Sequence, residues 1–125
     1  MHFHSFSTDY TTIIYTSDPY MSHIVACSVA SGDILASVHI PHLYTPMMDL
    51  LLAPDGLRVA AGFDHGVIHL YKMEAGACTL VGISNKHIGH GSVRQMKFTP
   101  DGHTLCSIDE NGVVCFLKVG HLLSH

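Results

Sequence analysis

Apolar and polar residues alternate along most of the chain in short runs, which Gly, Pro, Asp and Asn separate. Alternation with a period of two, rich in β-branched side chains, is typical of strands, and no stretch keeps the period of a helix. The pattern therefore predicts an all-β chain of short antiparallel strands. We expect these strands at Phe3–Ser7, Thr12–Thr16, His23–Ser28, Ile34–His39, Met47–Leu52, Leu57–Gly62, Val67–Lys72, Cys78–Ile83, Val93–Phe98, Thr104–Ile108 and Val113–Lys118.

The same pattern recurs with a fixed period. Pro54-Asp55-Gly56 returns as Pro100-Asp101-Gly102, an interval of 46 residues. A weaker third copy opens the chain, where Phe6 matches Leu52 and Ile13 matches Val59. A repeat of this length is typical of stacked supersecondary units, each of which packs against its neighbours.

The turns between the strands have a local physical reason. Proline presets φ at a turn entry, aspartate bonds to the backbone ahead of it, and glycine adopts positive φ, so Pro-Asp-Gly suits a link between adjacent strands. Asp64-His65-Gly66 and Glu110-Asn111-Gly112 suit the hairpin that follows. Each copy is thus predicted to be a meander of three or four strands. Strands that are apolar on both faces, such as residues 113–117, require cover on both sides, which neighbouring copies would provide.

These residues resemble the WD40 repeat, whose unit carries Gly-His, then Ser-Pro-Asp-Gly after a strand, then a turn with Asp and Gly, and a closing Trp-Asp. The third copy matches at Gly89-His90, Phe98–Gly102, Leu105–Ser107 and Asn111–Val113. The resemblance implies a β-propeller built from four-stranded blades. The blades would span residues 1–43, 44–89 and 90–125 approximately, and the last would lack its outermost strand.

The chain also departs from the WD40 pattern. It contains no Trp, Asn111 stands where the turn Asp would be, and Leu43-Tyr44 replaces the Gly-His of the second copy. Family members often join the histidine, a strand Ser or Thr, the turn Asp and the Trp in a hydrogen-bonded tetrad. We expect His90 to bond to Ser107 without completing a tetrad, and apolar packing to hold the blades together.

The number of blades leaves three arrangements open. A closed propeller takes about four to eight blades, whereas the repeats here supply three. The chain is then a fragment of a larger propeller, or assembles with other copies, or folds as an open arc with exposed edges. We favour the fragment, because open edges invite pairing with another chain.

Composition and charge exclude several classes of protein. Only 13% of the residues are charged, the net charge is −4, and there is no run of Lys or Arg, so the chain lacks the basic footprint for nucleic acid or an anionic membrane. No apolar stretch approaches the roughly 20 residues that span a bilayer, and the N-terminus does not resemble a signal peptide. We expect a cytoplasmic protein, with the cytoskeleton or the cilium as narrower locations.

The four cysteines lack CxxC spacing and are too few to staple a chain of this size. If Ile108 pairs with Val113, Cys106 lies directly opposite Cys115, where a disulfide is conceivable. We favour free thiols, because unbonded cysteine is among the most buried residue types.

The chain has twelve histidines, and three pairs of them have a spacing that is compatible with binding one metal ion. The pairs are His2 with His4, His39 with His42, and His87 with His90. No Cys or carboxylate stands beside them at a ligand spacing, and structural zinc usually takes four ligands, so we expect no metal and no cofactor. No Gly-x-Ser-x-Gly elbow or phosphate loop is present either, and we expect no enzymatic activity. A His-dependent metal-binding or hydrolytic β protein is the alternative of another class.

The favoured function is a noncatalytic protein-interaction scaffold, in which rigid blades hold partner-binding loops at their rims. A component of the cilium or cytoskeleton is a narrower alternative. The partners would be other proteins or peptides, further propeller blades or a second copy, with neither nucleic acid nor membrane. Under the resemblance, the partner-binding candidates are Tyr44, Met47, Asp64, His65, His90, Arg94, Glu110 and Asn111.

Overall fold

Three antiparallel sheets make up the fold in a computed structural model, which describes residues 3–17, 23–40, 46–74 and 76–119. Blade 1 consists of β1 (His4–Phe6), β2 (Thr12–Thr16), β3 (His23–Ser28) and β4 (Ile34–His39). Blade 2 consists of β5 (Met47–Leu52), β6 (Arg58–Phe63), β7 (Ile68–Glu74) and β8 (Ala77–Ser84). Blade 3 consists of β9 (Val93–Phe98), β10 (Thr104–Asp109) and β11 (Val114–Lys118).

Each blade is a meander in which every strand pairs with the next strand along the chain. The predicted all-β architecture is confirmed, and each strand lies within two residues of its predicted bounds. The partial propeller is confirmed as well, since the described residues form two four-stranded sheets and one three-stranded sheet. The local turn chemistry explains this accuracy. Gly56 and Gly102 both adopt positive φ, +76° and +74°, at the end of the repeated Pro-Asp-Gly.

Blade 2 lies between the other two blades, and its strands β5, β6 and β7 are largely buried on both faces. Leu52, Val59 and Tyr71 stand directly opposite one another on β5, β6 and β7, and all three pack in the core shared with blade 1. The alternate residues Ala60 and Leu70 pack in the core shared with blade 3. This two-sided burial explains why the strands are apolar at nearly every position.

The β10–β11 hairpin differs from the predicted register by one residue. Ile108 pairs with Val114, so Cys106 stands opposite Phe116 and Ser107 opposite Cys115. Cys106 and Cys115 therefore lie on opposite faces of the sheet, and all four cysteines are free thiols. The cause is the turn at residues 109–113, which the Asp109 N–H closes by donating to the Val113 carbonyl at 3.1 Å, as the Phe63 N–H donates to Val67 in the blade 2 turn of the same length. Asp109 Oδ1 also accepts the backbone N–H groups of residues 111 and 113.

Candidate partner-binding rim

The turns at one end of the strands form a continuous rim across blades 2 and 3. This upper rim comprises the β6–β7 turn at residues 64–67, the β8–β9 loop at 85–92 and the β10–β11 turn at 110–113. Six of the predicted partner-binding residues lie on or beside it, and all six are exposed. They are Asp64, His65, His90, Arg94, Glu110 and Asn111. The repeat therefore brings together residues that lie up to 47 positions apart in the sequence.

The other two candidates differ. Tyr44 lies outside the described residues. Met47 begins β5 at the same end of the strands, but its side chain is only 4% exposed and packs in the core between blades 1 and 2. Met47 therefore supports the rim from within, and we leave it out of the partner-binding surface.

Ser92 connects the two blades at the rim. Its hydroxyl donates to Asp64 Oδ1 on blade 2 at 2.9 Å. Its backbone N–H donates to Glu110 Oε1 at 3.3 Å, and its carbonyl accepts the Glu110 N–H at 2.9 Å. One buried serine thus fixes an acidic side chain from each of two hairpins.

Close backbone approach tightens the same region. A Cβ atom at Gly66 would lie 2.5 Å from the carbonyl oxygen of His87, and Gly66 has φ +90°. Only glycine fits a position that combines positive φ with such a contact. On the outer side, Asn111 Nδ2 donates to the carbonyl of His90. Arg94 lies 3.9 Å from Glu110, an exposed ion pair that contributes little to stability.

A buried polar triad lies beneath the rim. His87 Nε2 is 2.7 Å from Ser107 Oγ, and His87 Nδ1 is 2.8 Å from Asp109 Oδ2. The three residues are 0%, 4% and 3% exposed, respectively. The triad ties the β8–β9 loop to β10 and so holds the rim in one conformation.

The triad corrects the predicted hydrogen-bond partners. Ser107 bonds to His87 rather than His90, and the turn carboxylate is Asp109 rather than a group at position 111. Two consecutive tight turns, Ile88 N–H to Asn85 and His90 N–H to His87, place the His87 ring inside and His90 outside. A signal was available in the sequence, since Ser107 and Asp109 share one face of a period-two strand with the apolar Leu105.

The carboxylate of this triad is held ionised by its surroundings. Burial alone would raise the pKa of Asp109, but the hydrogen bond from His87 and the N–H groups of Val113 and Asn111 outweigh it and lower the pKa. Both carboxylate oxygens of Asp109 are therefore engaged inside the protein.

A serine, a histidine and an aspartate in this order are also the parts of a hydrolytic triad. Nucleophilic attack needs the reacting atoms within about 3.5 Å of each other, and a substrate cannot approach Ser107 Oγ that closely because the hydroxyl and the ring are buried. This arrangement therefore acts as an internal brace.

The three histidine pairs with metal-ligand spacing lie only partly within the described residues. Within the described residues no three or more His, Cys, Asp or Glu side chains are placed to hold an ion. His2 and His42 lie outside those residues. His39 packs against His23 with ring centroids 4.9 Å apart, while His87 belongs to the triad. Nor does the described part of the chain include a helix long and apolar enough to cross a membrane.

Solved structures with the same architecture include WD40 domains. The C-terminal WD40 domain of Sif2 superposes with a TM-score of 0.70 at 18% identity, covering 93% of this chain and 33% of that chain. KlAtg21, in complex with the coiled coil of AgAtg16, gives a TM-score of 0.80 at 19% identity, with 94% and 39% covered. A chain of the mitotic checkpoint complex gives 0.68 at 13% identity, with 87% and 33% covered.

These likenesses show that the chain has the fold of WD40-type propeller blades. It spans between 33% and 39% of the length of those three structures. No family model matches the sequence, and no curated protein matches it.

Proposed function

We propose that the chain is a noncatalytic protein-interaction scaffold that binds a partner segment at the upper rim. The observation that carries this proposal is the joining of two blades at Ser92, above a buried triad, with six polar side chains left exposed. A surface fixed in this way loses little conformational entropy on binding. The repeat units would be residues 1–43, 44–89 and 90–125 approximately.

The charges at the rim indicate the chemistry of the partner. Asp64 and Glu110 are acidic, Arg94 is basic, and His65 and His90 lie beside them. Such a surface suits a polar peptide that carries both signs of charge, since complementary charges set register and specificity. The complexes of KlAtg21 and of the mitotic checkpoint support a protein partner in this fold. We place the protein in the cytoplasm, where its four thiols would stay reduced.

A displayed library of random peptides tests this function with the 125-residue chain as bait. Peptides selected on the wild type should bind the double variant D64A/R94E at least about tenfold more weakly. This loss is expected when charged pairs between the rim and the peptide are broken. The control is D55A, which removes an exposed carboxylate from the opposite end of the strands. Affinities for D55A should match those for the wild type.

Peptides that bind the wild type, D64A/R94E and D55A equally would contradict the proposal. Peptides that lose affinity only for D55A would move the binding surface to the opposite rim. Fluorescence anisotropy with labelled peptides measures all three affinities, and circular dichroism checks that each variant is folded.

A further inference from the structure

The outer face of blade 3 is apolar and exposed. Cys106 and Ile108 on β10 stand directly opposite Phe116 and Val114 on β11, and this face points away from blade 2. Val114 is 51% exposed and Phe116 is 61% exposed. Aromatic and branched side chains side by side on one exposed sheet face are a common mark of an interaction surface.

The repeat identifies what this face is built to contact. The residues 46 positions earlier are Ala60, Gly62, Ile68 and Leu70. In blade 2 these residues are buried, and Ala60, Ile68 and Leu70 pack in the core shared with the next blade. The face that is open in blade 3 is therefore a blade–blade interface in blade 2.

Blade 1 exposes the complementary face. Phe6, Ile13, Cys27 and Ile34 stand opposite one another across its four strands, and Ile34 is 66% exposed. The corresponding row in blade 2 packs against the preceding blade and consists of Leu52, Val59 and Tyr71, with Leu80 at its outer end. One molecule thus carries both halves of the interface that it already uses twice internally.

We propose that blade 3 of one copy docks on blade 1 of a second copy, in the geometry by which blade 2 packs on blade 3. The two faces differ, so the contact is head to tail, and such a contact closes into a ring when the rotation allows. Two copies would bring six blades together, within the range of about four to eight that closed propellers use. This inference rests on the fold and not on the proposed rim function.

A polar contact between blades predicts the register of this docking. Asp49 Oδ2 accepts the Met96 backbone N–H at 2.9 Å across the interface between blades 2 and 3. The residue equivalent to Asp49 in blade 3 is Gln95, which is exposed, and the residue equivalent to Met96 in blade 1 is His4. The Gln95 side chain of one copy would accept the His4 N–H of the next. Lys97, which stands where blade 2 has Leu51, would lay its aliphatic stem along the contact.

Analytical ultracentrifugation of the purified chain tests the docking. The chain has a mass of 13.6 kDa, so the molecular mass measured for the wild type should be that of a dimer, twice this value. The variants F116D and I34D each place a carboxylate on one of the two faces, and both should be monomers of 13.6 kDa. The control L57D alters an exposed leucine in the β5–β6 turn, outside both faces, and should remain a dimer.

Mixing the two monomeric variants distinguishes head-to-tail from face-to-face contact. F116D keeps an intact blade 1 face and I34D keeps an intact blade 3 face, so an equimolar mixture should form a heterodimer through one interface. A dimer built from two blade 3 faces, or from two blade 1 faces, would instead be abolished by only one of the variants and would not be restored by mixing.

A wild type that stays monomeric over the accessible concentration range would overturn the proposal, as would a dimer that both F116D and I34D leave intact. Adding Q95A to the I34D protein, which offers the intact blade 3 face, tests the register. A heterodimer with F116D that is weaker than the one without Q95A would support the predicted register, whereas unchanged affinity would overturn that register. The peptide-binding test of the rim reads a different surface, so either proposal can fail alone.

Discussion

Blades 2 and 3 have the same fold, but different kinds of side chain fill equivalent interior positions in them. In blade 3, Ser107 and Asp109 bond to a buried histidine. The residues 46 positions earlier in blade 2 are Ala61 and Phe63. A polar network braces one blade, and apolar packing braces the other, yet the strand order and the turns are the same.

The blade 2 site compensates with aromatic rings. Phe63 packs on His69 with ring centroids 4.8 Å apart, and Tyr71 OH lies 3.1 Å from His69 Nδ1. Burial, with a smaller contribution from the Cys78 charge, raises the pKa of Tyr71 to about 12. Burial also lowers the pKa of His69, with a smaller contribution from the charge of His65. Both groups are therefore held neutral, which suits an apolar interior.

This difference indicates that the fold requires an interior that is closely packed and whose polar groups are hydrogen-bonded. It does not require particular residues. An aromatic side chain stabilises by the area that it buries, so it tolerates changes that conserve volume. A hydrogen-bonded network stabilises only while every member has its partner. We therefore expect blade 3 to be the more sensitive of the two to single polar substitutions.

The largest expected effect comes from H87L. Leucine fills much of the space but leaves the Ser107 hydroxyl and one oxygen of the Asp109 carboxylate buried without a ring partner. We expect the free energy of unfolding to fall by about 3 kcal/mol, the range found when a buried charged group loses its partner. Urea unfolding followed by circular dichroism measures the change.

The matched control for H87L is H90L in the same loop. The His90 side chain is exposed, so H90L should change the free energy of unfolding by less than about 0.5 kcal/mol. Equal losses for the two variants would mean that the triad does not brace blade 3.

A smaller effect is expected from removing a single hydroxyl in each blade. S107A should lower the free energy of unfolding by about 1.5 kcal/mol, because His87 Nε2 loses its partner in a fully buried site. Y71F should lower it by about 1 kcal/mol, because His69 Nδ1 loses its hydrogen-bond partner while the ring packing around His69 persists. The variant S37A, at an exposed serine on β4, controls for strand propensity. A loss for Y71F that equals or exceeds that for S107A would reverse the comparison between the blades.

Much of the fold followed from the sequence because its determinants are local. Pro-Asp-Gly, the glycines at positive φ and the period-two alternation act within a few residues, so the strand bounds and the blade order could be predicted. The 46-residue repeat then placed Asp64 and Glu110 at equivalent turns. Their connection through Ser92 could not be predicted, because it depends on how two blades approach each other.

The triad shows where this kind of prediction stops. His87 and His90 are both within reach of β10 by sequence, and only the two tight turns of the β8–β9 loop decide which ring points inward. The hairpin register is a similar case. The backbone bond from the Asp109 N–H to the Val113 carbonyl makes the turn one residue longer than predicted, and this shifts Cys106 away from Cys115.

Two carboxyl groups offer the finest test of the comparison, through opposite pH dependence. Burial raises the pKa of Asp49 in blade 2, although the N–H groups of Met96 and Leu50 counteract it, whereas the pKa of Asp109 is lowered. The stability contributed by Asp109 is complete above the unfolded pKa of about 3.9 and is lost as the pH falls through the lowered value. For Asp49 the sign reverses, because ionisation in the folded state costs stability as the pH rises through the raised value.

Urea unfolding of the wild type, D109N and D49N at several pH values between about 3 and 7 measures both slopes, a window that covers the carboxyl titrations. The stability of the wild type minus that of D109N should increase with pH below about pH 4, and the wild type minus D49N should decrease with pH above it. The lowered pKa values of Asp9 and Asp101 are shared by all three proteins and cancel in these differences. Slopes of the same sign would show that the two carboxyl groups experience the same environment, and the contrast between a satisfied network and a desolvated carboxylate would then be wrong.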